Sequence, residues 1–202
     1  MAILGEIIKR VIDLKDALTP ASNPIDEQKE VLKKLLEMAE NTAFGKQYRF
    51  STLLQSKQIL KDFSEAIPYF DYDKINSEWW YKLHDGEENV TWPGIPDYYA
   101  LSSGTTGKTS KKIPVTNEMI TAIRDTGIAQ VAALANFNLP AEFFEKGILM
   151  LGSSTDLTKK ENHLEGEISG ISASNIPFWF RSYYKPGEEI AQIEDWDERV
   201  QK

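Results

Sequence analysis

Apolar residues recur at helical spacing from the start of the chain. Ile3, Leu4, Ile7, Ile8, Val11 and Leu18 follow that spacing, interrupted by Glu6, Lys9, Arg10 and Asp13. The 3.6-residue period predicts an amphipathic helix, and the TPASNP cluster at 19–24 ends it. A second helix follows, with Val31, Leu32, Leu35, Leu36 and Ala39 on its apolar face. NTAFGKQYRF, at 41–50, reads as a capped turn. Residues 53–66 predict one or two short helices, and 72–83 another that carries Trp79, Trp80 and Tyr81. Residues 84–96, rich in Gly, Asp, Glu and Pro, read as a loop.

The pattern changes at Tyr98. Tyr98, Tyr99, Ala100 and Leu101 form a short apolar run that predicts a buried strand. SSGTTGKTS follows, and then Lys111-Lys112-Ile113-Pro114-Val115, which reads as a second strand. Thr116 is placed to cap a helix, with Glu118 in its first turn where the helix dipole favours an acid. Ile120, Ile123, Gly127, Val131 and Leu134 make that helix's apolar stripe, read as mainly core. GILML at 147–151 is a second candidate buried strand. Beyond it the periodicity is weak, with aromatics from Phe178 to Tyr184 and an acidic tail. The expected fold class is α/β, helical over 1–96 and mixed over 97–202.

Composition narrows the possible chemistry. A chain of 202 residues with 41% hydrophobic and 27% charged positions is an ordinary globular domain. The absence of cysteine excludes disulfides, thiolate zinc sites and a cysteine nucleophile. A net charge of −8 has the wrong sign for a general nucleic-acid binder. Charges break the apolar run of the first helix, so neither a signal peptide nor a spanning helix is expected, and the chain is read as cytoplasmic. His84 and His163 sit in charged segments without a second histidine nearby, so no metal site is predicted. No G-x-S-x-G elbow supports a serine hydrolase. The Ser153/Ser154 and Ser172/Ser174 pairs read as turn residues, and Asp195 and Asp197 as a solvated face.

One segment stands apart. Residues 98–117 contain no acid but three lysines, Lys108, Lys111 and Lys112, in a chain that is otherwise acidic. Glycines free backbone N–H groups to turn inward, hydroxyls add donors, and a lysine supplies a point charge, so such a loop suits a polyphosphate. SSGTTGKT nearly matches the nucleotide triphosphatase P-loop, but Ser102 stands where that motif needs glycine. A P-loop must also run into a helix. Pro114 would fall in that helix's interior, at a cost of about 3 kcal/mol. The loop therefore joins two strands.

A Ser/Thr/Gly loop of this kind resembles the phosphate loop of adenylate-forming enzymes, the luciferase and acyl-CoA ligase superfamily. The spacing S-S-G-T-[ST] followed by K-x-[ILM]-P is more similar to the auxin-responsive acyl-acid amido synthetases, in a bacterial form. Ser102, Ser103, Gly104, Thr105, Thr106, Lys111, Ile113 and Pro114 carry the match. NTAFGKQYRF, AIPYFDYDKI, GEENVTWPGIPDYYALSSGTTG and GEISGISASNIPFWFR also resemble that family's N-terminal region, in the same order.

The resemblance implies ATP and Mg²⁺, a carboxylic acid that is adenylated, and an amino acid that receives the acyl group. It assigns the ATP phosphates to Ser102, Ser103, Gly104, Thr105, Thr106, Gly107 and Lys111, with Lys108 and Lys112 facing solvent. Met150, Ile171 and Phe178 are candidate acyl contacts, while core packing is the first expectation for the surrounding aromatics. The catalytic group is not identified. The family's adenine- and ribose-binding motifs and its C-terminal lid are not found here, so the chain reads as the N-terminal part of a longer ligase, inactive alone. A carboxylate–CoA ligase, or a non-catalytic binding or assembly module with a relic loop, are the alternatives.

Overall fold

The structure, a computed structural model, describes residues 3–18, 23–102, 110–178 and 180–202. It divides into two compact units, one of residues 1–20 with 96–202, the other of residues 21–95. The opening helix α1 (Ile3–Leu18) belongs to the first of these. Among the described residues no helix is long and apolar enough to cross a membrane.

The unit of residues 21–95 is helical. It contains α2 (Pro24–Ala39), α3 (Ala43–Gln47), α4 (Phe50–Leu54), α5 (Ile59–Ala66), α6 (Tyr72–Ile75) and α7 (Tyr81–His84). A π-helical stretch, Asn76–Trp80, joins the last two, so 72–84 is nearly continuous helix as its spacing predicts. Asn23 caps α2 with Pro24 at its first position, an arrangement that fixes φ where the N–H would have no helical partner.

NTAFGKQYRF is more than a turn. It forms α3 and the start of α4, and Phe44, Tyr48 and Phe50 enter the core beside Leu36, Ala39, Leu53 and Ile59. Burial of the aromatics decides this, since too few residues separate the two helices for periodicity to register. Phe44 also packs edge-on to Trp79, with ring centroids 5.0 Å apart. On α2 the buried line is Leu36 and Ala39, while Val31 and Leu35 remain about half exposed, so the predicted face is rotated.

Thr42 holds the turn between α2 and α3. Its buried hydroxyl donates to the Ala39 carbonyl at 2.7 Å and accepts from the Gly45 N–H at 3.0 Å. A Cβ at Gly45 would lie 2.1 Å from the Ala39 oxygen, so only glycine permits this approach. Thr42→Ala is expected to lower stability by about 1–2 kcal/mol, read as a shift in the urea midpoint, with Thr42→Ser close to the parent.

The other unit is built on a four-stranded sheet. Strands β1 (Tyr98–Leu101) and β2 (Lys112–Val115) form an antiparallel hairpin. Helix α8 (Asn117–Ala132) follows, capped by Thr116, whose hydroxyl accepts from the Met119 N–H at 3.2 Å. After β3 (Ile148–Leu149) and β4 (Thr158–Lys159), β5 (Leu164–Gly166) pairs parallel to β1 and antiparallel to β4. The order is β2-β1-β5-β4. Helix α9 (Ile168–Ser174), strand β6 (Tyr184–Lys185), α10 (Glu188–Ala191) and α11 (Trp196–Gln201) complete the unit, with β6 parallel to β3.

Period-two alternation gives the sheet two chemically distinct faces. Ala100 and Val115 point to one side, where they meet Ile120 of α8 and Ile171 of α9. Two sequence expectations change here. Of the α8 stripe only Ile120 is buried, while Ile123 is exposed, because the described residues offer that face little to cover it. Strand β3 is exposed rather than buried, with Leu149 at 64%.

Helix α1 is anchored by its Gly5, Lys9 and Ile12 line. The Gly5 N–H donates to Glu145 Oε1 at 3.0 Å, Lys9 Nζ donates to the Leu139 carbonyl at 2.8 Å, and Ile12 is buried. The predicted apolar positions Ile3, Leu4, Ile7, Val11 and Leu18 are exposed.

Candidate functional site

The hairpin places the loop. Ile113 pairs with Ala100 and Lys112 with Leu101, so the next rung joins Ser102 to Lys111. The Ser102 N–H donates to the Lys111 carbonyl at 3.0 Å, and the Lys111 N–H donates to Ser102 Oγ at 3.1 Å. A side-chain oxygen thus replaces the second backbone acceptor and closes the loop base. Accepting there directs the hydroxyl's own proton away from Lys111. The chain leaves and re-enters this rung between two strands, and β2 occupies the place where a triphosphatase P-loop would have its helix.

Of the predicted phosphate contacts, Ser102 and Lys111 sit together at this base. Ser103, Gly104, Thr105, Thr106 and Gly107 lie outside the described residues, as does Lys108.

The Lys112 side chain is 44% exposed, and its Nζ lies 2.5 Å from Glu165 Oε1, a carboxylate partner that the sequence does not announce. Glu165 is 5% exposed. It also meets His163 Nε2 at 3.1 Å and Lys160 Nζ at 3.8 Å. Tyr99, its partner in the β1–β5 register, packs edge-on to the His163 ring at 4.7 Å.

Burial alone would raise the Glu165 carboxyl, but hydrogen bonds from Lys112 and His163 and the charges of Lys112 and Lys160 outweigh it and hold it below its ordinary value. Burial, and then the Glu165 charge, push the Tyr99 hydroxyl up.

The sign of the Glu165 shift fixes a pH dependence. A carboxyl lowered in the folded state contributes stability that is complete above its unfolded pKa, about 4.3, and is lost as pH falls through the lower folded value. Thermal melts of the parent are therefore expected to fall more steeply below about pH 4 than those of Glu165→Gln. Parallel acid limbs would refute the assignment.

Met150, Ile171 and Phe178 occupy three different environments. Ile171 is fully buried in the core between α8 and the sheet. Phe178 is 82% exposed. Met150 is partly exposed, and its N–H donates to the Lys185 carbonyl at 2.9 Å. A separate cavity of about 320 Å³ is lined by Thr155, Ser174, Ile176, Arg181, Tyr184 and Glu188, among others, and by none of those three.

Ser172 and Ser174 lie in helix α9 rather than in a turn, and three of the four serines donate through their hydroxyls. Ser153 Oγ donates to Glu167 Oε2, Ser154 Oγ to the Gln192 carbonyl at 2.8 Å, and Ser174 Oγ to the Ile171 carbonyl at 2.8 Å. Arg199, buried on α11, donates to the Gly152 and Ile193 carbonyls and ties this segment to the end of the chain. Asp195 is exposed and caps α11, and Asp197 is exposed in its first turn. Among the described residues, no group of three or more His, Asp or Glu gathers as metal ligands do. Glu165 and Arg199 carry no motif, and the only sequence trace of the first is its place in a short alternating run, HLEGE.

Comparisons with known proteins follow the same lines. The family described as GH3 family N-terminal domain matches residues 14–201. No match is found among curated proteins. Ten solved chains match. One of them, a GH3.15 acyl acid amido synthetase, superposes with a TM-score of 0.65 at 17% sequence identity over 95% of this chain. At that identity the likeness is one of fold. The chain spans 32% of that structure's length.

Proposed function

Because the chain belongs to the GH3 family, whose N-terminal domain its residues 14–201 match, we propose that it is the phosphate-gripping part of an ATP- and Mg²⁺-dependent acyl-acid amido synthetase. In the complete protein a carboxylate oxygen attacks the α-phosphorus of ATP and pyrophosphate leaves. The amine of an amino acid then attacks the acyl carbon, the bond to AMP breaks, and the amine's proton passes to solvent. A free carboxylate resists amines because oxide is a poor leaving group, and AMP is a far better one.

The loop base carries this reading. Ser102 and Lys111 are held together by two hydrogen bonds, which sets a hydroxyl-bearing residue and a lysine side by side at the two ends of a Gly-, Ser- and Thr-rich segment without acids. In this reading Ser102, Ser103, Gly104, Thr105, Thr106 and Gly107 donate to the β- and γ-phosphates. Lys111 adds a positive charge as negative charge builds on the departing pyrophosphate. Mg²⁺ prefers phosphate oxygens and water with few carboxylates. Since Glu165 is committed to Lys112 and His163, the ion is held chiefly by the substrate's phosphates, where it supplies further neutralisation. Contacts to adenine and ribose fall to sequence beyond these residues.

ATP–pyrophosphate exchange tests the reading. The complete protein is expected to exchange label only with Mg²⁺ and a suitable carboxylic acid from a panel. Residues 1–202 alone are expected to bind the nucleotide weakly, in a Mg²⁺-dependent manner, without exchange. Turnover by residues 1–202 alone would overturn the division of labour, and the absence of any nucleotide binding would overturn the loop assignment.

A further inference from the structure

We propose that Glu165 is a positioning residue for the phosphate loop, acting through Lys112; this rests on the loop assignment made above. Strand β2 is held from one side only: among the described strands it lies at the edge of the sheet, paired only with β1. Its third residue, Pro114, stands opposite Tyr99 between hydrogen-bonded rungs, so its nitrogen faces the open edge, which no described strand covers. An edge strand so lightly held makes a poor mount for a loop that must keep several donors aimed at one anion.

The sheet supplies a second attachment. Lys112 is the first residue of β2, next to Lys111. Its side chain crosses the intervening β1 to reach Glu165 on β5. Glu165 is itself fixed from the far side by His163 and Lys160, and beneath it Tyr99 is buried against the His163 ring. The start of β2 is therefore tied to the centre of the sheet. Everything that sets the Lys111 position, including its rung with Ser102, inherits that constraint.

Charge alone makes the opposite prediction. Glu165 is an anion in the same sheet as a polyphosphate site, so removing its charge should strengthen anion binding if only the field mattered. If Glu165 acts by holding Lys112, removing its charge weakens binding. The sign of one measurement separates the two.

The test uses residues 1–202 with inorganic tripolyphosphate and Mg²⁺ in titration calorimetry, with thermal melts in parallel. Glu165→Gln and Lys112→Met are each expected to weaken binding about tenfold, and the double variant to be no weaker than either single one. Lys112→Arg, which can still reach the carboxylate, is expected to bind as the parent does. Lys112 is half-exposed, so its variants keep the question open to measurement should Glu165→Gln fold poorly. Unchanged or tighter binding by Glu165→Gln, or losses that simply add in the double variant, would overturn the proposal, as would a lower melting temperature with unaltered affinity. A parent chain that binds no tripolyphosphate would overturn the loop assignment, and this inference with it.

Discussion

Ile171→Ala is expected to cost about 3–4 kcal/mol, lowering the melting temperature by roughly 10 °C. Ile171 has no exposed surface and packs with Ala100 of β1, Val115 of β2 and Ile120 of α8. Truncation leaves a void that neighbours fill poorly. The preceding Gly170 already presses on the Ser154 carbonyl, where a Cβ would come within 2.1 Å of the oxygen. Helix α9 is thus held against the 152–155 segment and resists moving in to close the cavity. Met150→Ala and Phe178→Ala, at exposed positions, are expected to change stability by less than about 0.5 kcal/mol. Urea titration of the three variants separates core from surface. If Met150 or Phe178 touches the carboxylic acid of the proposed reaction, its variant alters KM for that acid in the complete protein while leaving the melt in place. An Ile171→Ala melt equal to the parent's would remove Ile171 from the core.

The hairpin was legible because local chemistry determined it. The YYAL run, Pro114 and the Thr116 cap each restrict the backbone within a few residues, and together they specify strand, loop, strand and helix. What remained hidden depended on distant partners. Nothing near Lys112 in sequence announces Glu165, because their pairing is made by the parallel β1–β5 register. A period also names an apolar face without naming what covers it. The stripe of α8 reads as core, yet of its residues only Ile120 is buried among the described residues. In the opposite sense, NTAFGKQYRF has no clean period, yet it supplies Phe44 and Phe50 to a packed aromatic core. The two strands that flank the loop were legible, whereas the Ser102–Lys111 rung and the polar network behind it were not.

The largest loss of binding is expected at the loop itself. Lys111→Ala removes a side-chain charge while keeping the backbone N–H and carbonyl that form its rung with Ser102. The hairpin should therefore survive, and any deficit belongs to the ammonium group. A charge-assisted contact to phosphate is worth about 1.5–3 kcal/mol, so affinity for Mg²⁺–ATP should fall roughly tenfold to a hundredfold. On the proposed function, Gly104→Val should weaken binding for a different reason, because a branched side chain restricts a backbone whose N–H groups that proposal assigns to the phosphates. Lys159→Ala is the control for general electrostatics. Lys159 is an exposed lysine on β4, at the other end of the sheet from β2. Its removal subtracts the same charge without touching the loop, and binding should stay within about twofold of the parent at physiological salt. Equal losses for Lys111→Ala and Lys159→Ala would mean that the chain attracts nucleotide by its overall field. A selective loss at Lys111 that persists as salt is raised places the ammonium group in contact with the phosphates, since screening weakens distant charges far more than a direct pair.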